Sequence, residues 1–342
     1  MSGASLRLVG VTLVWGVSFP CTRAWQTASE RSGVDELLSA LTLISLRMLV
    51  ALGVLLAWQP HLRRANSAER WAGMIIGLAF LAGFALQTWA LAHTTPALSA
   101  FFTCICSAWV PFIALCLGQR VAPLTLVGLC IGLVGCAVLV EGWKLGRGEW
   151  LTLGASVIFA VQMILLDRFG KALRAEMLSP AFLLANGLGA GLLAIAFAAT
   201  GHGVTNWIGW TGNMLSDSKR AWILVVLAVF PTALGFHWMN TYQPQVSPSR
   251  AALIYLLEPV FTVVFSVSIR LLTGSKDYDE LTLPLIIGGI LILGGNLLVE
   301  WYTGNTPSCD FEERGTMLSL TGPPVPEADT LEAGTASSEN RS

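Results

Sequence analysis

Two charged side chains stand deep inside apolar stretches of this chain. Arg47 lies about ten residues into the stretch 36–58, and Glu258 about eleven residues into 247–272. At about 1.5 Å per helical residue, both fall near the middle of a membrane-crossing helix. A charge at that depth costs roughly 2.5–3.5 kcal/mol on insertion scales, so it normally faces a cavity or a partner. Read as chemistry, Arg47 offers a cation to an anionic ligand, and Glu258 a titratable acid for proton exchange. Read as structure, they form a buried ion pair or hold backbone groups that Pro259 releases.

Other candidates for the same pathway are polar or aromatic. They are Trp15, Ser18, Phe19, Gln87, Thr103, Ser107 and Trp109 in the first half, and Gln162, His237, Asn240 and Tyr255 in the second. The competing reading is ordinary packing. Ser and Thr bond back to their own helix, and aromatic rings pack against lipid or neighbours. Pro111 and Pro259 each remove a helical donor and disfavour helical geometry just upstream, which makes them candidate hinges.

Metal and redox chemistry have little support. His93 and His237 are isolated, so no metal site is expected. Cys104 and Cys106 lie two apart, on nearly opposite sides of a helix, and are not expected to share a metal. Six of the seven cysteines fall in apolar stretches, where a thiol behaves as a small hydrophobe. No Walker loop, HExxH or nucleophile elbow occurs, so no catalytic residue and no cofactor are expected. Any uphill movement of a solute then draws on an ion gradient or on the solute's own.

The elements that carry these residues follow from composition. Only 12% of the 342 residues are charged, against roughly 25% in a typical soluble domain. Hydrophobic residues make up 54%, too much to bury in one aqueous core. The net charge of -1 leaves no basic footprint, so nucleic acid is not an expected partner. Apolar segments recur at about 6–26, 36–58, 71–92, 96–118, 122–142, 150–168, 178–200, 221–241, 247–272 and 281–302. Each approaches the ~20 residues that a helix needs to span a bilayer. The expected fold is all-α: a polytopic membrane protein of ten transmembrane helices. The first segment reads as a retained helix, since small-x-small cleavage sites are not obvious after it and Phe19-Pro20-Cys21 is a poor lipoprotein site. Trp15, Trp25, Trp58, Trp71, Trp143, Trp150, Trp222 and Trp301 sit at or near segment ends, as interfacial aromatics do.

Arg63, Arg64 and Arg70 in the second connection, with Arg168, Lys171 and Arg174 in the sixth, set the orientation. They place both termini in the cytoplasm, in a cell inner membrane. Residues 303–342 are rich in Pro, Ser, Thr and Glu and read as a disordered cytoplasmic tail.

The chain also repeats itself. At a shift of 148, Pro96 maps to Pro244, Ser99 to Ser247 and Pro111 to Pro259. The expected units are 1–142 and 143–302, five helices each, followed by the tail 303–342. Five is odd, so the second copy enters the membrane from the opposite side and is inverted. Inverted repeats underlie many secondary transporters, whose halves exchange outward-open and inward-open arrangements about a central site. Gly128, Gly132 and Gly135 on helix five, and Gly288, Gly289, Gly294 and Gly295 on helix ten, read as close helix packing.

At this point the residues resemble a known family, the EamA-like members of the drug/metabolite transporter superfamily. WGVSF (Trp15–Phe19) is similar to its opening WG-x-x-F, and Leu46-Arg47 to its LRF stretch. SRAALIYLLEPVF (Ser249–Phe261) resembles its RAAL-x-x-LEPV segment in helix nine. The resemblance covers about residues 6–302. Two places depart from it: the family's LGE reads Leu117-Gly118-Gln119, and its later counterpart reads Thr273-Gly274-Ser275 followed by a charged insert, Lys276–Glu280. The resemblance implies ten helices and transport of a small molecule. The expectation is alternating-access export of amino acids or related metabolites, with protons as the candidate coupling ion. Two alternatives are an integral membrane enzyme acting on lipid or isoprenoid substrates and a membrane sensor signalling through the tail. Substrate, direction, coupling ion and oligomeric state are left open.

Overall fold

The computed structural model describes residues 3–118, 121, 123–138 and 146–305. The tail from residue 306, with Cys309, lies outside them. So do Gln119, Trp143, Lys144 and the boundary at 142/143.

Every regular element among the described residues is helical. The chain is a multi-pass membrane protein, with eight helical spans long and apolar enough to cross a bilayer. They are built from α1 (Gly3–Glu30), α2 (Glu36–Trp58), α3 (Ser67–Ala90), α4 (Pro96–Cys104) with α5 (Cys106–Cys116), then α7 (Arg147–Ala172), α8 (Ser179–Phe197), α10 (Ser218–Leu227) with α11 (Gly235–Tyr242), and α12 (Pro248–Tyr255) with α13 (Glu258–Thr273). Two further apolar helices, α6 (Pro123–Val138) and α14 (Leu283–Asn305), fill the remaining places in the expected order.

Helix starts follow local capping chemistry. The Asp35 carboxylate accepts the Leu37 and Leu38 amides at 2.8 and 3.1 Å, satisfying donors that a helix start leaves orphaned. Asn66 and Glu69 form a reciprocal capping box at the start of α3. Glu69 is only 1% exposed and takes a two-pronged bond from Arg174, at 2.6 and 2.9 Å. A bidentate pair of this kind is strong and directional, and it ties α3 to the turn before α8.

The charged insert supplies a carboxylate to the start of α4. Gly274 closes α13 in the left-handed conformation, φ +68°, which glycine adopts without a Cβ clash. Asp279 then accepts from Ser266 Oγ at 2.6 Å and from the Ala97 amide at 3.2 Å, in the first turn of α4. A carboxylate there also suits the positive end of the helix dipole.

One helix was not expected. α9 (Val204–Ser216) lies between the seventh and eighth spans. Its Trp210 and Met214 pack with Trp25, Leu43, Leu224 and Leu227. Trp25 is therefore fully buried, 6.3 Å from Trp210, rather than interfacial. Trp58, Trp71, Trp150 and Trp222 are exposed, as an interfacial role requires.

Close packing rests on glycine. A Cβ at Gly135 would meet Gly288 O at 2.7 Å, and one at Gly295 would meet Gly128 O at 2.7 Å, so α6 and α14 touch backbone to backbone. The same device joins α3 to α8, where a Cβ on Gly73 would lie 2.5 Å from Leu178 O and one on Gly77 2.8 Å from Phe182 O. Gly73→Ala should therefore destabilise the fold by about 1–3 kcal/mol, the usual cost of overpacking. Gly289→Ala, with nothing within 4 Å of its Cβ, should be neutral. Thermal unfolding in detergent checks both; equal midpoints would refute the α3–α8 contact.

Candidate functional site

Arg47 and Glu258 line one buried chamber. α1 contributes Trp15, Ser18 and Phe19 to it, α2 contributes Arg47, and α3 contributes Phe80, Phe84 and Gln87. The broken fourth span adds Thr103, Cys104 and Cys106, and α7 adds Phe159, Gln162 and Met163. Phe236, Met239, Tyr255 and Glu258 complete the wall. Space for the centres of water-sized particles is about 70 Å³, several times the roughly 10–15 Å³ that one water needs on that measure. A small solute fits; a larger one requires the helices to part.

Arg47 is 1% exposed, and its partners are neutral. Nε donates to Thr232 Oγ1 at 2.9 Å, Nη1 donates to Ser18 Oγ at 3.2 Å, and the guanidinium lies 5.0 Å from the Phe84 ring centroid. Such a ring contact attracts a cation, by ~2 kcal/mol when both are desolvated. The ion pair considered from sequence is not formed. Glu258, 6% exposed, stands in the first turn of α13.

Neutral polar groups complete the surface. Thr103 Oγ1 accepts from Gln87 Nε2 at 2.7 Å and donates to Ser99 O. Tyr255 donates to Gln243 Oε1 at 3.0 Å. The Gln162 side-chain nitrogen is buried with no hydrogen bond to the described residues. An unpaired buried donor is costly, and this one borders the chamber. Aromatic rings build the rest: Trp15 lies 5.5 Å from Phe236 and 5.4 Å from Tyr255, and Phe80 sits 4.9–5.2 Å from Phe159, Phe182 and Phe236.

Four expected pathway residues lie outside the lining. Ser107 donates to Ala252 O at 2.8 Å, joining α5 to α12. His237 and Asn240 both turn to Ser179, at 3.0 and 3.4 Å. Trp109 packs, partly buried, against the core. Polar groups in lipid need partners, and a neighbouring helix supplies them as well as a cavity does.

The hinges also differ from expectation. The fourth span breaks at Ile105 while Pro111 sits inside a continuous α5. A proline ring presses on the carbonyl four residues back, here Ser107, and the helical hydrogen-bond pattern is interrupted just before it, with Ile105 still in the right-handed helical region. The ninth span breaks at Leu256–Leu257, and Pro259 is the second residue of α13, in the first turn, where its missing N–H costs nothing. Cys104 and Cys106 both line the chamber. Among the described residues, no group of three or more His, Cys, Asp or Glu could hold a metal ion.

Sequence reasoning missed the walls Phe80, Phe84, Phe159, Met163, Phe236 and Met239. In helices that are apolar all round, a chamber-facing ring has no pattern to mark it. It also missed a π-helical turn, Ala228–Leu234, containing Pro231. That internal proline was the available signal.

Comparisons with known proteins bear on the whole arrangement. Residues 146–301 match the EamA-like transporter family, part of the drug/metabolite transporter superfamily, so the resemblance read from the motifs is met there. No curated protein matches the chain. A solved crystal structure, 20% identical, covers 88% of this chain and 98% of its own, with a TM-score of 0.63. At that identity the likeness concerns the fold alone.

Proposed function

With residues 146–301 matching the EamA-like transporter family, we propose that the chain is a secondary transporter of small metabolites. Its substrates are amino acids or related compounds, exported across a cell inner membrane with both termini in the cytoplasm. The mechanism is alternating access of two inverted five-helix halves, coupled to protons. The observation that carries this reading is the chamber itself, where a cation with only neutral partners and an acid face one aromatic-walled space.

The helix contacts support two related five-span halves. Shifting every span by five exchanges the pairs. The α1–α13 contact maps onto α7 with α4, α3–α7 onto α11–α1, and α3–α8 onto the π turn with α2. The α2–α8 and α6–α14 contacts map onto themselves. Both the fourth and the ninth span are interrupted beside the chamber, as in transporters whose broken helices line the site.

Each lining group then has a role. Arg47 receives the substrate carboxylate, and the unpartnered Gln162 nitrogen offers a second donor. Phe80, Phe84, Phe159 and Phe236 hold the apolar part and exclude water. Glu258 exchanges a proton against the solute.

Reconstitution tests the proposal. Liposomes holding the full chain and labelled neutral amino acids should release them when a proton gradient is imposed. Chamber cysteines should change accessibility between the two sides. No movement of any metabolite, together with fixed accessibility, would refute transport. Truncation after Asn305 should leave release intact; its loss would favour the tail-signalling alternative. Turnover of a lipid or isoprenoid in the same vesicles would favour the enzyme.

A further inference from the structure

The eighth span, Ser218–Gln245, is interrupted by the π-helical turn Ala228–Leu234, which contains Pro231. Single π turns of this kind are frequent at functional sites. Here the consequences can be followed atom by atom.

In an α-helix, the Leu227 carbonyl would accept the N–H of residue 231. That residue is proline and has none. The Thr232 hydroxyl donates to that carbonyl at 2.6 Å. With its proton so directed, the Thr232 oxygen turns its lone pairs to Arg47, and Nε donates to it at 2.9 Å.

The π register releases a second acceptor. The Gly235 N–H bonds to Phe230 O and Thr232 O rather than to Pro231 O. Pro231 O accepts from Trp15 Nε1, at 3.1 Å. Leu227 O thus orients the hydroxyl that holds Arg47, and Pro231 O serves the chamber side chain Trp15. Arg47 is held at Nε by Thr232 and at Nη1 by Ser18. Its Nη2 makes no hydrogen bond to the described residues, and the Arg47 side chain lines the chamber.

We infer that the Pro231–Thr232 turn is a positioning device, which fixes the Arg47 guanidinium with Nη2 presented to the anionic group of the substrate. Thr232 is then a positioning residue and a determinant of affinity for that group. The inference rests on the transport reading for its functional consequence, but its geometric core does not.

The test separates the two. The full chain, labelled with ¹⁵N-arginine, is compared with Thr232→Val and Thr232→Ser in detergent and in liposomes, the Arg47 signal being assigned by its loss in Arg47→Gln. In the wild type and in Thr232→Ser, the Arg47 Nε–H should exchange slowly. In Thr232→Val it should exchange rapidly. For labelled neutral amino acids, Thr232→Val should raise KM by about tenfold, the scale of one hydrogen bond to a charged group, with kcat within about twofold. Thr232→Ser should restore the wild-type KM. Should Thr232→Val not fold, Thr232→Ala removes the same hydroxyl with a smaller side chain and should give the same two changes.

A slow Nε–H in a folded Thr232→Val overturns the positioning geometry, whatever transport does. A fast Nε–H with unchanged KM overturns the role in affinity. If wild-type liposomes move nothing, the transport reading fails and the exchange measurement still decides the geometry.

Discussion

Arg47→Gln should lower kcat/KM for neutral amino acids on the order of 100-fold while leaving the protein folded. Removing one member of a buried, hydrogen-bonded charge pair costs about 2–5 kcal/mol, and the pair here is Arg47 with the substrate anion. The protein itself loses little. The partners of Arg47 are two hydroxyls and a ring, so no carboxylate is stranded, and burying an amide costs less than burying a guanidinium. A structural arginine behaves otherwise, since its loss leaves a buried acid unpaired and the fold pays. The comparison case is Arg174, whose partner Glu69 is almost fully buried. Arg174→Gln should lower the unfolding temperature more than Arg47→Gln does. Initial rates of liposome efflux against concentration, beside thermal unfolding, give both numbers. Wild-type transport in Arg47→Gln would remove the anion-binding role.

Glu258→Gln should flatten the pH dependence of transport and abolish uphill movement driven by a proton gradient. The amide imitates the protonated acid in size and hydrogen bonding but cannot release a proton. The variant is thereby held in one protonation state. Exchange of labelled for unlabelled solute down its own gradient should persist, because that half-cycle needs no net proton transfer. Counterflow with and without an imposed gradient separates the two activities. A pH profile that matches the wild type would remove Glu258 from coupling, and loss of counterflow as well would make it a binding or structural group.

The membrane class and the order of the spans were legible in the chain because hydropathy over ~20 residues is a local property. So was the unusual depth of Arg47 and Glu258, since a charge within an apolar run stands out whatever surrounds it. The motifs from WGVSF to SRAALIYLLEPVF likewise needed no coordinates. Tertiary structure alone decided which polar side chains turn inward. Ser107 and His237 bond to neighbouring backbone or to Ser179, and the Gln162 nitrogen bonds to none of the described residues. It also selected the phenylalanines of the chamber wall, and placed the fourth-span break at Ile105 rather than at Pro111. The physical reason is common to all of these. Lipid and protein interior are equally apolar, so a lipid-facing ring and a chamber-facing ring carry the same sequence signal. Only the packing of helices distant in the chain, such as the π turn at Pro231 against Arg47 and Trp15, tells them apart.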